Sequence, residues 1–217
     1  KLIKRLKDLN QFLGAHYEIQ VAAYCIQAGF EITLEDENDP NSTHCEFAAK
    51  NIKSGRKFSV EAKARTHGKN SGAISSQLYS ALKKSAEYER IIFININIPE
   101  KNKDLAPAKW IHEAIASIRG AETRLKIKGD DAPPAYVLLT NQQNACNLNA
   151  IRFDTGAVAE SFKISDFRVD HSFASSKEAI ASRERHKEVT DIFEAIKRHH
   201  KIPSAFDGET SENLPKL

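Results

Sequence analysis

The stretch FSVEAKAR, residues 58–65, alternates between apolar side chains and polar or charged ones. Successive residues of a β-strand point to opposite faces of the sheet. One face of this stretch therefore carries Phe58, Val60, Ala62 and Ala64. Glu61 and Lys63 stand side by side on the other face. The stretch predicts a strand over residues 57–65 that holds an acid and a base above an apolar layer.

Helices and strands are predicted to alternate on both sides of this strand. Apolar residues at helical spacing predict one long opening helix from Leu2 to Tyr24. The further predicted elements, in chain order, are strands at 30–34 and 44–51, a helix within 73–88, a strand at 91–98, a helix at 110–118 and a strand at 136–140. This order indicates an α/β sandwich, in which helices flank a central mixed β-sheet.

The strand at residues 91–98, IIFININI, predicts how the sheet is covered. Ile92, Ile94 and Ile96 share one face, which we expect to be buried. Asn95 and Asn97 lie on the other face, and we expect the far end of that face to be wetter.

The length of 217 residues suffices for one substantial core, which we assign to residues 1–170. Residues 171–217 are predicted to add a C-terminal helix at 177–200 and a tail. This helix has apolar positions at Ile180, Ile192, Phe193 and Ile196. We expect it to pack on the core or to extend from it.

Composition narrows the class of protein without deciding it. A formal charge of +3 and a pI near 8.7 permit binding to a polyanion. Three cysteines without a C-x-x-C spacing disfavour a disulfide framework or a cysteine zinc site, so a reducing cytoplasm is expected. No apolar run approaches the roughly 20 residues that span a bilayer, so no membrane association is expected. Because the sequence contains no Met, an upstream segment or a partner subunit is expected to be missing.

The strand HCEFAA, residues 44–49, brings a second acid towards the first. A hairpin between this strand and FSVEAKAR would place Glu46 and Glu61 within reach of one shared cation. Two carboxylates and the backbone carbonyl of Ala62 are the oxygen ligands that Mg²⁺ prefers, with Mn²⁺ as the expected substitute. Lys63 would stabilise the charge of a phosphoryl transition state. The alternative role for Lys63 is to position the attacking water.

An opening helix with Glu18, then HCEF and then VEAK resembles the PD-(D/E)xK nuclease superfamily over roughly residues 14–98. The resemblance implies a restriction-endonuclease-like sandwich with an additional C-terminal helix, and the activity of a Mg²⁺-dependent deoxyribonuclease. It implies Glu46 as the first metal-binding acid, and Glu61 and Lys63 as the E-x-K motif. It also implies Glu18 as a supporting helical acid and Gln77 as a polar residue near the site.

The chain departs from the family pattern at the first motif. The usual Pro-Asp is replaced by Cys45-Glu46, which shifts the expected metal position. If Glu46 is not the ligand, Asp39 in the preceding loop is the alternative.

Further residues are candidates for contacts with nucleic acid. The charged face continues beyond Lys63 with Arg65, His67 and Lys69, which are suited to hold phosphates. Gln77 is a further candidate for a contact with nucleic acid. The alternative for the first three is a solvated strand end.

The function predicted from these residues is metal-dependent endonucleolytic hydrolysis of DNA, in restriction or in defence against foreign DNA. Double-strand cutting would favour a homodimer. A catalytically inactive nucleic-acid-binding module of the same fold is the first alternative. A protein-interaction domain that docks its partner through the sheet edge and the last helix is the second.

Overall fold

A computed structural model describes residues 2–34, 44–65, 73–97, 107–141 and 156–199. The helices are α1 (Leu2–Leu6), α2 (Phe12–Gln27), α3 (Ile74–Leu82), α4 (Pro107–Glu122), α5 (Ser176–Arg185) and α6 (Lys187–His199). The strands are β1 (Phe30–Leu34), β2 (Phe47–Asn51), β3 (Lys57–Ala64), β4 (Glu89–Asn95), β5 (Lys126–Ile127), β6 (Asp130–Asp131), β7 (Ala135–Asn141) and β8 (Gly156–Phe162).

A mixed sheet of six strands lies at the centre, in the order β1-β2-β3-β4-β7-β8. The pairs β3/β4 and β4/β7 are parallel, and the other neighbours are antiparallel. Parallel neighbours need a crossover between them, and the chain from β3 to β4 contains α3 for this purpose. The predicted α/β class with a central mixed sheet and flanking helices is confirmed.

Helices cover both faces of the sheet, so the core is divided into two layers. On one face α2 and α6 pack against apolar residues of the strands, among them Phe58, Val60, Ile91 and Phe93. On the other face α3 and α4 pack against residues that include Ile92 and Ile94. The predicted alternation along β3 and β4 is therefore confirmed.

The expectation of a wetter far end on β4 is wrong. Asn95 and the following Asn97 are 0% and 4% exposed. The Asn97 side-chain amide donates to the Arg65 carbonyl oxygen at 2.9 Å, so a neighbouring segment satisfies it where water was expected.

The predicted single opening helix is also wrong, because a turn at Lys7–Gln11 separates α1 from α2. The Asp8 carboxylate accepts hydrogen bonds from the Asn10 backbone N–H at 2.9 Å and from the Gln11 side chain at 2.8 Å. Such local bonds compete with the helical ladder. Leu9, one of the predicted apolar positions, is 93% exposed as a result.

The C-terminal prediction of one helix is corrected to two, which meet at the buried His186. Ile180 on α5 is 58% exposed, whereas Ile192 and Ile196 on α6 are buried against α2 and the sheet. β8 adds a strand at residues for which the sequence predicted none. The domain boundary at residue 170 stays a prediction.

The predicted hairpin between β2 and β3 is confirmed, although its first strand begins at Phe47 rather than at residue 44. Its turn uses the Asn51 side-chain oxygen, which accepts from the N–H groups of Lys53 and Ser54 at 3.0 and 2.9 Å. Gly55 adopts a φ of +73°, which glycine tolerates without strain.

Within the described ranges, no helix has the length and apolarity needed to cross a bilayer.

Candidate active site

β3 holds Glu61 almost completely out of water. Its side chain is 1% exposed, and it pairs in register with Ile92 of β4, on the face that α3 covers. Ala62 turns the other way and packs with Val60 against α2. The predicted division of this strand into an apolar face and a face with the acid is therefore confirmed.

Glu46 lies just before β2, and two sets of contacts bring it to Glu61. The Glu46 backbone N–H donates to the Val60 carbonyl oxygen at 2.9 Å, next to Glu61 in the chain. The preceding residues run beside the end of α3, since His44 forms a backbone bridge with Ser85 and the Cys45 thiol lies 3.5 Å from the Ser85 carbonyl oxygen. The segment before β2 is thus held between β3 and the residues that follow α3.

Lys84, which immediately precedes Ser85, contacts both carboxylates. Its Nζ lies 2.9 Å from Oε1 of Glu46 and 2.9 Å from Oε1 of Glu61. The two carboxylates are therefore close enough to share one cation, as the sequence predicted. The cation at that position in this structure is a lysine that the sequence analysis did not select.

Lys63 approaches Glu61 from a second direction, with its Nζ 2.5 Å from the same Oε1 atom. The other oxygen of Glu61, Oε2, is buried and has no hydrogen-bond partner among the described residues. A buried charged oxygen without a hydrogen bond is costly in free energy. Oε2 of Glu61 is therefore a candidate atom for binding a ligand.

Glu18 on α2 is held by α1. The Arg5 guanidinium makes two contacts to it, from Nη1 to Oε2 at 2.8 Å and from Nη2 to Oε1 at 2.5 Å. Glu18 also lies within electrostatic range of Glu46 and Lys84, which act on its pKa in opposite directions. The predicted helical acid therefore lies within electrostatic range of Glu46, and its partner is an arginine from a different helix.

Burial controls the titration of this cluster. It raises the pKa of Glu61 to about 7, although the Lys63 charge acts in the opposite direction and Glu46 adds repulsion. Burial also raises the pKa of Glu18, against the hydrogen bond from Arg5. For Lys84, burial lowers the pKa, but the attraction of Glu61 and Glu46 outweighs it and the pKa is raised. All three pKa values are therefore raised, and a cluster of perturbed pKa values is common at functional sites.

The outer candidate residues are less well connected to this cluster. Arg65 is half-buried at the end of β3, where its backbone N–H donates to the Asn95 carbonyl oxygen at 3.1 Å and burial lowers its pKa. Gln77 is half-buried on α3, and no contact recorded in the described ranges joins its side chain to Glu46 or Glu61. His67, Lys69 and Asp39 lie outside the described residues.

Sequence reasoning missed Lys84 and Arg5. The rule for ion pairs within a helix looks three or four residues away, and both lysine and arginine reach their acids from other elements. No signal in the local sequence separates Lys84 from its exposed neighbour Lys83.

The donor set fits a hard divalent cation. Val60 turns its carbonyl towards the β2 edge, and carbonyls two residues apart point to the same edge, so the Ala62 carbonyl faces that edge beyond the last β2/β3 pair. Together with Glu46 and Glu61, it offers oxygen ligands that suit Mg²⁺ or Mn²⁺ rather than Zn²⁺. Over the described ranges, no group of three or more His, Cys, Asp and Glu side chains forms a metal cluster. Water and substrate oxygens would have to complete the coordination.

Comparisons with family models, with curated proteins and with solved structures gave no significant match to this chain.

Proposed function

We propose that this chain is a divalent-metal-dependent phosphodiesterase with a restriction-endonuclease-like fold that hydrolyses DNA. The observation that carries the proposal is the buried Glu61 of β3, which lies beside Glu46 and has Lys63 two residues further along the strand. Two adjacent carboxylates next to an ammonium group suit the binding of a metal and the stabilisation of a phosphoryl transition state.

Each residue has a separate role in the proposed reaction. Glu46, Glu61 and the Ala62 carbonyl would hold the metal, which would act as a Lewis acid and lower the pKa of a bound water. The Lys63 ammonium neutralises negative charge that develops on the phosphate. Glu18 is held in place by Arg5, and its charge acts on Glu46 in the segment before β2. In this arrangement β3 carries Glu61 and Lys63, and α1 and α2 carry the Arg5–Glu18 ion pair.

A basic surface on α1 and the turn after it supports the proposal that the substrate is a polyanion. Lys4 and Lys7 are exposed, and with Arg5, Asp8 and Gln11 they line a groove on the surface. Arg5 joins this groove to Glu18 and thereby to the site. Phosphates gain affinity from such cations chiefly through the release of counterions.

Cleavage of plasmid and single-stranded DNA in Mg²⁺ or Mn²⁺ tests the proposal, with an RNA substrate in parallel. We expect cleavage by the wild type and a loss of about 100-fold or more in Lys63→Ala. Lys57→Ala, at the exposed start of the same strand, is the matched control and should cleave normally. Equal cleavage by wild type and Lys63→Ala would place the chemistry elsewhere. Preferential cleavage of RNA would correct the substrate class.

A catalytically inactive nucleic-acid-binding module is the second candidate, because Lys84 already forms ion pairs with both carboxylates. Calorimetry with Mn²⁺ separates the two functions. If the chain is a nuclease, the wild type should bind Mn²⁺ far more tightly than Glu61→Ala does. If it is an inactive module, the wild type should bind Mn²⁺ no better than Glu61→Ala does. A role in restriction or defence and a homodimeric state belong to the nuclease proposal alone.

A further inference from the structure

Lys84 occupies the point between the two carboxylates at which a bridging cation would be expected. Its ammonium lies 2.9 Å from an oxygen of Glu46 and 2.9 Å from an oxygen of Glu61. Of the cations in the described ranges, Lys84 is the one with recorded ion pairs to both. An ammonium is a compact point charge, so at this position it satisfies the same attraction that would hold a metal ion.

The charges of the cluster balance as the structure stands. With both carboxylates ionised, Glu46 and Glu61 carry two negative charges, and Lys63 and Lys84 carry two positive ones. A divalent cation added to this set would leave an excess of two positive charges. The surroundings are largely shielded from water, since the side chain of Lys84 is 24% exposed and that of Glu61 is 1% exposed. Repulsion between like charges is strong where water is scarce. Metal binding therefore requires one ammonium to leave the carboxylates.

Lys84 is assigned as the ammonium that leaves, because the proposed function needs Lys63 beside the phosphate. Lys63 belongs to β3, with strand pairing to β4 through Ile94. Lys84 lies beyond α3, and its backbone N–H makes a 3.2 Å bond to the Ala81 carbonyl oxygen in the turn that closes the helix. The four-carbon stem of a lysine allows the ammonium to turn away while the backbone stays in place.

We propose that Lys84 is a tethered cation that holds Glu46 and Glu61 together in the metal-free protein and competes with the divalent metal for them. This inference rests on the proposed metal site. Lys84 prevents two buried carboxylates from repelling each other before the metal arrives. It also weakens the affinity of the site for metal, because binding must displace it.

Calorimetric titration of the full chain with Mn²⁺ tests the competition. Lys84→Met removes the charge but keeps an unbranched stem, and we expect it to bind Mn²⁺ about tenfold more tightly than the wild type does. Lys84→Arg keeps a positive charge and should bind close to wild-type affinity. Lys83→Met, which removes the exposed neighbouring charge, is the matched control and should also bind as the wild type does.

The outcomes separate this inference from the proposed function. If the wild type binds Mn²⁺ and Lys84→Met binds it no more tightly, the competition is wrong and the metal site stands. If neither the wild type nor a folded Lys84→Met binds Mn²⁺, the metal site and the competition are both wrong. Should Lys84→Met fail to fold, Lys84→Gln carries the same expectation, with circular dichroism as the check of folding. Binding by Lys84→Met where the wild type shows none would support the competition.

Discussion

Glu61 combines deep burial with a charge that the site needs. β3 leaves its side chain 1% exposed, and both Lys63 and Lys84 contact its Oε1 atom. These ammonium groups favour the ionised form, yet burial dominates and raises the pKa to about 7. The residue therefore exchanges a proton near neutral pH, which ties the stability of the protein and the proposed binding of metal to the same titration.

The stability of the metal-free protein should depend on pH through Glu61. Between pH 4.5, the ordinary pKa, and about 7, the folded state binds more protons at this group than the unfolded state does. The contribution of Glu61 to stability consequently falls as pH rises through that window, by up to about 1.4 kcal/mol per pH unit. Glu61→Gln lacks this dependence. Urea unfolding should show the free energy of unfolding of the variant rising relative to wild type across the window.

Lys83→Met is the control for this comparison, because it changes one exposed charge at the end of α3 without touching Glu61. Its stability should run parallel to that of the wild type from pH 4.5 to 7. Parallel curves for Glu61→Gln and wild type would contradict a raised pKa at Glu61.

The ion pair between Arg5 and Glu18 should contribute measurably to stability. Glu18 is 10% exposed and Arg5 is 28% exposed, so removal of the arginine leaves a largely buried carboxylate without its partner. We expect Arg5→Met to lower the free energy of unfolding by about 1–2 kcal/mol in chemical denaturation. In a Glu18→Gln background the same change should cost much less. Equal costs in both backgrounds would show that the two side chains do not interact.

The site was predictable where its residues follow strand periodicity. Glu61, Lys63 and the apolar face below them were identified because alternate residues of a strand share a face. Lys84 and Arg5 were not, since each meets its acid across a tertiary contact that leaves no pattern in the local sequence. The placement of Glu61 and Lys63 follows from their neighbours in the chain. The placement of Lys84 and Arg5 against their acids follows from the packing of helices on the sheet.

At the scale of elements, strand periodicity predicted position well. Helical periodicity missed two breaks between helices and fell short of α4, predicted at 110–118 and observed at Pro107–Glu122. β1 was predicted with its observed bounds, and β3 and β7 to within one residue at each end. The opening helix and the C-terminal helix were each predicted as one element where two are present. The breaks depend on single residues, the Asp8 side chain in the first case and the buried His186 in the second. His186 bonds the Tyr136 hydroxyl at 2.9 Å, a contact that joins distant parts of the sequence.

Helix α1 and the turn that follows it should act as a phosphate-binding element in the proposed function. Lys4 and Lys7 are exposed beside Arg5, so each is free to approach a phosphate of bound DNA. Each lost phosphate contact reduces the dependence of log K on log salt by about one. Lys4→Ala/Lys7→Ala should therefore weaken DNA binding and reduce the slope by about two, as measured by fluorescence anisotropy over a range of salt concentrations.

A double variant on α6 is the matched control for α1. Lys187 and Lys197 are also lysines on a helix surface, but they pair with Asp191 and Glu194 of the same helix. Lys187→Ala/Lys197→Ala should leave the salt slope unchanged. Equal slopes for the two double variants would remove α1 from the proposed interface.

At the scale of the whole molecule, the sheet explains why the candidate site lies at β3. This strand has an antiparallel neighbour, β2, on one edge and a parallel neighbour, β4, on the other. The recorded pairing with β2 stops at Phe47 and Val60, whereas pairing with β4 continues to Ala64. Glu61, Ala62 and Lys63 thus lie where one edge of a central strand loses its partner. Backbone and side-chain oxygens can meet there inside a rigid framework, a condition that precise metal coordination needs.

Metal should stabilise the whole fold if the carboxylates meet only in the native chain. A ligand that binds the folded state alone raises the free energy of unfolding by mass action, about 2.7 kcal/mol at a concentration 100 times Kd. Glu46 lies just before β2 and Glu61 lies on β3. Contacts with the residues at the end of α3 hold them together, and unfolding breaks these contacts. Thermal unfolding should therefore shift upward with Mn²⁺ in the wild type and not in Glu61→Gln. Asp191→Asn, a change on the α6 surface, should keep the wild-type shift. An equal shift in wild type and Glu61→Gln would mean that Mn²⁺ binds at a different place in the molecule.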